Sequence, residues 1–110
     1  KGEDPMNIIH NFNEADNKWE VSLSGEVDVY NAPMLKDTLH NLLDKQVADI
    51  IVDCKELKYI DSTGLGVLIG VLKRVKDNDG NISIINLKPY IKKIFTITGL
   101  DKIFLVEVQE

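Results

Sequence analysis

Two adjacent hydroxyls, Ser62 and Thr63, stand between Asp61 and Gly64 at the start of a strongly apolar run, and this is where the chain can do chemistry. The spacing places them in the first turn of a helix, where main-chain N–H groups lack internal partners and carry a partial positive charge. An anion at such a position is both hydrogen-bonded and electrostatically favoured, so a phosphate carried on Ser62 is a physically sound switch. Asp61 and Ser62 also both suit the helix cap, a role that stabilises by on the order of 1 kcal/mol and implies no activity. Phosphorylation would add roughly −1.5 to −2 charges, which Asp61 and any acidic partner surface would repel. The modification can therefore eject a partner without unfolding the domain.

The remaining reactive groups do not assemble into an active site on the sequence. His10 and His40 are far apart, Cys54 has no histidine near it, and Ser62 has no base in its own segment, so nucleophilic catalysis and a metal site are not expected. Cys54 reads as a small core residue at a strand end. Gly64, Gly66 and Gly70 spell G-x-G-x-x-x-G, one residue longer than the dinucleotide fingerprint, and no Gly-Lys-Ser/Thr follows. Each glycine costs a helix about 0.5–1 kcal/mol relative to alanine. Gly66 and Gly70, four apart on one face, read first as close helix-to-sheet packing and alternatively as a flat surface for another protein. Asp28, in the loop-like stretch Gly25–Tyr30, reads as a turn carboxylate whose interest depends on whether that loop lies beside Ser62.

The elements that must position these residues follow from periodicity. Asn7 to Phe12 and the alternating Trp19, Val21 and Leu23 form a hairpin across the loop Asn13 to Lys18. Asn31 and Pro33 open a helix over Pro33 to Asp44 carrying Leu35, Leu39, Leu42 and Leu43. Ile50-Ile51-Val52 reads as a central strand buried on both faces. A strand-like segment precedes Ser62, and a helix of about three turns follows it with Leu65, Leu68, Leu72 and Val75 on one side, ended by Asp77-Asn78-Asp79-Gly80. Ile82, Ile84 and Ile85 mark a strand, Pro89 opens a helix with Ile91, Ile94 and Phe95, Gly99 is its left-handed cap, and Phe104 to Val108 closes as a strand. This order predicts an α/β fold, a mixed sheet of about four to five strands flanked by helices.

With 110 residues, 44% of them hydrophobic, the chain suits one domain that needs neither metals nor disulfides. Its 18 acidic and 13 basic residues give a net charge of −5, the wrong sign for the electrostatic footprint of a nucleic-acid binder. A single cysteine and the lack of a long apolar span predict a cytoplasmic protein with no membrane contact. Residues 1–5 read as an appended or disordered leader before Met6, leaving residues 6–110 as the domain.

Gly25-Glu26-Val27-Asp28-Val29-Tyr30-Asn31-Ala32-Pro33 and Asp61-Ser62-Thr63-Gly64-Leu65-Gly66 together resemble the STAS domains of bacterial anti-sigma factor antagonists. The likeness spans Met6 to Glu110 and includes Phe95-Thr96-Ile97-Thr98-Gly99-Leu100. It stands nearest to the general stress-response branch, with the sporulation branch as the near alternative. The resemblance implies a single STAS domain with no intrinsic catalysis and no cofactor, which captures an anti-sigma factor and so frees a sigma factor for transcription. It implies two partners, an anti-sigma factor serine kinase that uses ATP and a metal-dependent serine phosphatase that reverses it. By the same motif Ser62 is the phosphoacceptor, Asp28 a partner-recognition residue, and Asp61, Thr63, Gly64 and Gly66 the rest of the contact turn. Thr63 is a second hydroxyl beside the acceptor, and a final helix common in the family is expected to be short or absent after Glu107. The chain is expected as a monomer or weak dimer. A nucleotide- or anion-sensing module, or a structural subunit of a stress-sensing assembly, is the alternative reading.

Overall fold

The ten residues Lys18–Val27 form the strand on which the rest of the sheet is built in the computed structural model, which describes residues 5–108. This strand is β2, and its alternation does what a period of two requires: Trp19, Val21, Leu23 and Val27 are buried while Ser22 is exposed. Strand β1 (Asn7–Asn13) pairs with it antiparallel, from Asn7 opposite Ser24 to Asn13 opposite Lys18. The tight connection between them carries Asn17 at a φ of 53° and is closed by Asn13, which bonds both the Asp16 amide and the Glu20 carboxylate.

Helix α1 (Ala32–Lys45), strand β3 (Asp49–Asp53), strand β4 (Leu57–Ile60) and helix α2 (Ser62–Lys76) follow. Strand β5 (Ile82–Leu87), helix α3 (Pro89–Thr98), a 3-10 turn at Leu100–Lys102 and strand β6 (Leu105–Val108) complete the described residues. The main sheet runs β1-β2-β3-β5-β6, parallel beyond the first pair. These five strands and three helices are the α/β architecture expected from periodicity.

The strand-like segment before Ser62 is a separate strand lying off that path. Strand β2 divides its edge: Lys18 to Ser22 pair with β3, whereas Gly25 to Val27 pair with β4 across a bulge. Gly25, at a φ of 82°, makes this bend. Its amide donates to the Glu56 carbonyl at 3.0 Å, which brings β4 alongside.

Apolar side chains from α1, α2 and α3 and from one face of the strands form one core, with Leu35, Leu39, Leu68, Val71, Ile50, Ile84 and Phe95 at its centre. On the other face of the sheet, Ile51, Ser83 and Ile85 are only partly buried among the described residues. The partial burial of Ile51 corrects the expectation that Ile50-Ile51-Val52 is buried on both faces. A short β-branched run looks the same whether helices cover one side or two. The αL cap at Gly99 is present, with a φ of 77°, and Gly80 closes the end of α2 through its amide on the Val75 carbonyl. Four of the five residues read as a leader, and the chain beyond Val108 where a final helix would begin, lie outside the described residues.

Candidate functional site

The parallel strands β2, β4 and β5 all point their C-terminal ends to one edge of the sheet, where the chain turns into α1, α2 and α3. The candidate residues gather at this edge because β4 pairs with the end of β2. Ile60 sits opposite Val27, and the Asp61 amide donates to the Val27 carbonyl at 3.1 Å. The loop that carries Asp28 thus lies beside the turn that carries Ser62.

Asp61 is the residue that organises this turn. Its backbone is extended, as an N-cap requires, and its Oδ1 accepts from the Gly64 amide at 3.0 Å. The same oxygen accepts from the Thr63 hydroxyl at 2.5 Å. The Thr63 hydroxyl holds the Asp61 carboxyl below its ordinary value, helped by the Gly64 amide and more weakly by the Thr63 and Val29 amides. Asp61 is accordingly ionised at neutral pH.

Of the two residues suited to cap α2, Asp61 does so and Ser62 is the first residue of the helix. Ser62 is exposed, and its hydroxyl takes no hydrogen bond from the other described residues. Thr63, also exposed, has its hydroxyl committed to Asp61.

Gly64 is buried where α2 meets the sheet. A Cβ there would lie 2.6 Å from Ile60 Cγ1 and 2.7 Å from Val27 Cγ1. Gly66 and Gly70 are exposed, and a Cβ on either would meet nothing within 4 Å. Helix-to-sheet packing therefore explains Gly64 and not the other two. Those two floor a shallow groove edged by Lys36 and His40 of α1 and by Thr63 and Val67 of α2. Arg74 holds His40 in place, bonded to its Nδ1 at 3.1 Å and to Asp44 at 2.6 Å.

Asp28 builds its own loop. Its Oδ1 accepts from the amides of Tyr30 at 2.9 Å and Asn31 at 3.1 Å, an Asx-type turn, and its carbonyl receives the Ala32 amide at 2.8 Å. Asn31 returns the contact, accepting from the Asp28 amide at 2.9 Å and donating to the Glu26 carbonyl at 2.8 Å. The turn-carboxylate reading of Asp28 holds, in the loop that lies beside the Ser62 turn.

Sequence reasoning passed over the apolar and aromatic side chains at this edge. Tyr30 is 91% exposed, Tyr90 54% and Tyr59 47%, and Val29 and Met34 are exposed as well. Tyr90 is tied to the site through its hydroxyl, which donates to the Lys58 carbonyl beside Tyr59. An isolated tyrosine in a sequence carries no sign of exposure. No local signal marks Tyr59 either, because β4 does not alternate: Lys58 and Tyr59 are both exposed between the buried Leu57 and Ile60.

A family model described as STAS domain matches residues 11–110. The chain is 41% identical over 98 residues to the anti-sigma-B factor antagonist of Bacillus subtilis, covering 89% of each protein. It is 37% identical over 95 residues to the anti-sigma-B factor antagonist of Staphylococcus aureus, covering 86% of this chain and 88% of that one. Among solved structures, an anti-sigma factor antagonist from Mycobacterium paratuberculosis is similar with a TM-score of 0.82 at 23% identity, over 94% of this chain and 86% of that one. The Bacillus cell fate determinant SpoIIAA in its phosphorylated form is similar with a TM-score of 0.69 at 19% identity, over 93% and 90%. At such identities the structural likeness speaks for the fold.

Proposed function

Since the chain belongs to the STAS domain family, we propose that it acts as an anti-sigma factor antagonist whose binding is switched off by phosphate on Ser62. The unmodified protein binds an anti-sigma factor that is also a serine kinase, and a sigma factor is released for transcription. The kinase transfers phosphate from ATP to Ser62, and a metal-dependent serine phosphatase removes it. The chain itself is a regulator that performs no catalysis, and it works in the cytoplasm. Among the described residues no helix is long and apolar enough to cross a membrane.

The observation that carries this reading is the exposed Ser62 hydroxyl at the first residue of α2, beside an ionised Asp61, at the sheet edge where Val29, Tyr30 and Tyr59 are exposed as well. Tyrosines around a small polar centre are a composition typical of the residues that dominate binding energy at interfaces. Gly66 and Gly70 extend that surface along α2, letting another backbone approach. Asp28 acts by holding Val29 and Tyr30 in place.

A phosphate on Ser62 would sit at the positive end of α2, where the fold tolerates it, and would place its charge at the centre of the contact. A loss of about 3 kcal/mol there lowers affinity by roughly a hundredfold. The test is copurification from a lysate of the source cell with ATP or ADP supplied, using Ser62→Ala and Ser62→Asp baits, followed by titration with the authentic phosphoprotein. Retention of one ATP-binding protein by the alanine form and its loss from the aspartate and phosphorylated forms is the expected result. Equal binding by all three would refute the switch.

A further inference from the structure

Building on the reading of Ser62 as phosphoacceptor, we propose that Asp61 selects between the two neighbouring hydroxyls. Its carboxylate locks the Thr63 side chain onto the turn and leaves Ser62 as the hydroxyl a kinase can use. The two residues are adjacent, exposed and chemically alike. What separates them is the Thr63 Oγ1 bond to Asp61 Oδ1 at 2.5 Å, against a Ser62 hydroxyl with no partner among the described residues.

In the transfer, the acceptor oxygen attacks the γ-phosphorus of ATP, the bond to the leaving ADP breaks, and the hydroxyl proton passes to a base on the kinase or to water. Ser62 can present its oxygen and give up its proton to such an external base without losing any contact. Thr63 must first leave Asp61. A hydrogen bond to a charged acceptor favours the bound hydroxyl by about tenfold to a hundredfold, and Thr63 as an acceptor is slowed by that factor.

The same carboxylate is badly placed to serve as the base that would activate Thr63 instead. It is fixed at the helix cap by the Gly64 amide, and its lowered proton affinity makes it a weak proton acceptor at neutral pH. Asp61 is thus a positioning residue that acts through Thr63. Locking and activation predict opposite outcomes when Asp61 is changed.

The experiment phosphorylates the full chain and its Asp61→Asn and Asp61→Gly variants with ATP and the kinase recovered by copurification. It reads the ratio of phosphothreonine at 63 to phosphoserine at 62 by mass spectrometry. Asn retains a capping oxygen without the charge, and Gly caps nearly as well with no side chain at all, so both variants keep α2. Because the ratio is taken within one protein, a change in kinase affinity cancels. The expected result is a phosphothreonine-to-phosphoserine ratio of about one-tenth or less in the parent chain and a ratio raised about tenfold or more in both variants, most in Asp61→Gly. A ratio unchanged or lowered, with Ser62 still modified, overturns the lock while leaving the switch intact. A parent chain that accepts no phosphate on either residue overturns both. Independently of any kinase, an NMR titration of the Asp61 carboxyl should show its midpoint rising in Thr63→Val, and an unmoved midpoint means that the bond does not exist in solution.

Discussion

Three glycines in one helix should respond to alanine with opposite signs. In Gly64→Ala the new methyl lies 2.6 Å from Ile60 Cγ1, 2.7 Å from Val27 Cγ1 and 3.0 Å from Ile60 Cδ1. Both neighbours are β-branched, fully packed and joined by β4-to-β2 pairing, so neither can swing away cheaply. Overpacking costs about 1–3 kcal/mol, and two contacts under 3.0 Å put Gly64→Ala in the upper half of that range, about 2–3 kcal/mol, of which the helix propensity of alanine returns at most about 1 kcal/mol. The net loss is about 1–2 kcal/mol, a fall of roughly 4–8 °C in Tm for a domain of this size. In Gly66→Ala and Gly70→Ala the methyl meets nothing within 4 Å. Only the propensity gain is left, about 0.5–1 kcal/mol each, or a rise of roughly 2–4 °C. Urea and thermal denaturation of the three single variants, followed through the fluorescence of the one tryptophan, Trp19, decide the matter. A Gly64→Ala protein as stable as its parent, or a destabilised Gly66→Ala protein, would refute the packing argument. If the groove at Gly66 receives the partner's backbone, Gly66→Ala should also bind the anti-sigma factor about tenfold more weakly while being the more stable protein.

Acid should destabilise the domain partly through Asp61. Its folded carboxyl titrates below the ordinary value, so the stability it contributes is complete above the ordinary carboxylate range and is lost as pH falls through the folded pKa. Denaturation midpoints of Asp61→Asn measured between pH 7 and pH 2 should therefore fall less steeply on the acid side than those of the parent. Cys54 is buried, which with Asp53 beside it pushes the thiol up to about 12, Lys88 opposing only in part. Its reaction with a thiol-specific chromogenic reagent at pH 8 should be set by unfolding, with a rate that rises with urea in step with the loss of structure. Asn31→Ala removes both side-chain bonds that tie the Asp28 amide and the Glu26 carbonyl together. It should cost about 1–2 kcal/mol and weaken partner binding in calorimetry, because the loop that displays Val29 and Tyr30 loses its brace.

The helices and most strands were legible because their apolar residues recur with clear periods: Leu35, Leu39, Leu42 and Leu43 in α1, Trp19, Val21 and Leu23 in β2. The turn at Ser62 was legible for a different reason, since Asp-Ser-Thr-Gly ahead of an apolar run is a helix start whatever the fold. Three features were not. The half-exposure of Ile51 depends on which sheet face the helices cover, and that is settled by connections rather than by the strand's own residues. The split of β2 between β3 and β4 hangs on one glycine, Gly25, whose φ of 82° no local pattern announces. The contrast between Gly64 and the pair Gly66 and Gly70 reverses the first reading of that pair as packing residues. Helical spacing puts 66 and 70 on one face, but only the position of the sheet says that this face looks outward.

The same geometry bears on how a small modification can act without a large conformational change. The turn at Ser62 is held by main-chain and carboxylate bonds that leave out the serine side chain: Asp61 to Gly64, Asp61 to Thr63, and the Asp61 amide to Val27. A phosphate on Ser62 breaks none of them. It adds charge beside the already ionised Asp61, on a surface whose other members are Val29, Tyr30 and Tyr59, side chains suited to burial against a partner. A doubly charged group next to a carboxylate can be buried there only against matched positive charge, so a partner that fits the unmodified turn is penalised by desolvation as well as repulsion. On the proposed switch the domain would keep its fold in both states, and the free energy of the switch would fall on the complex.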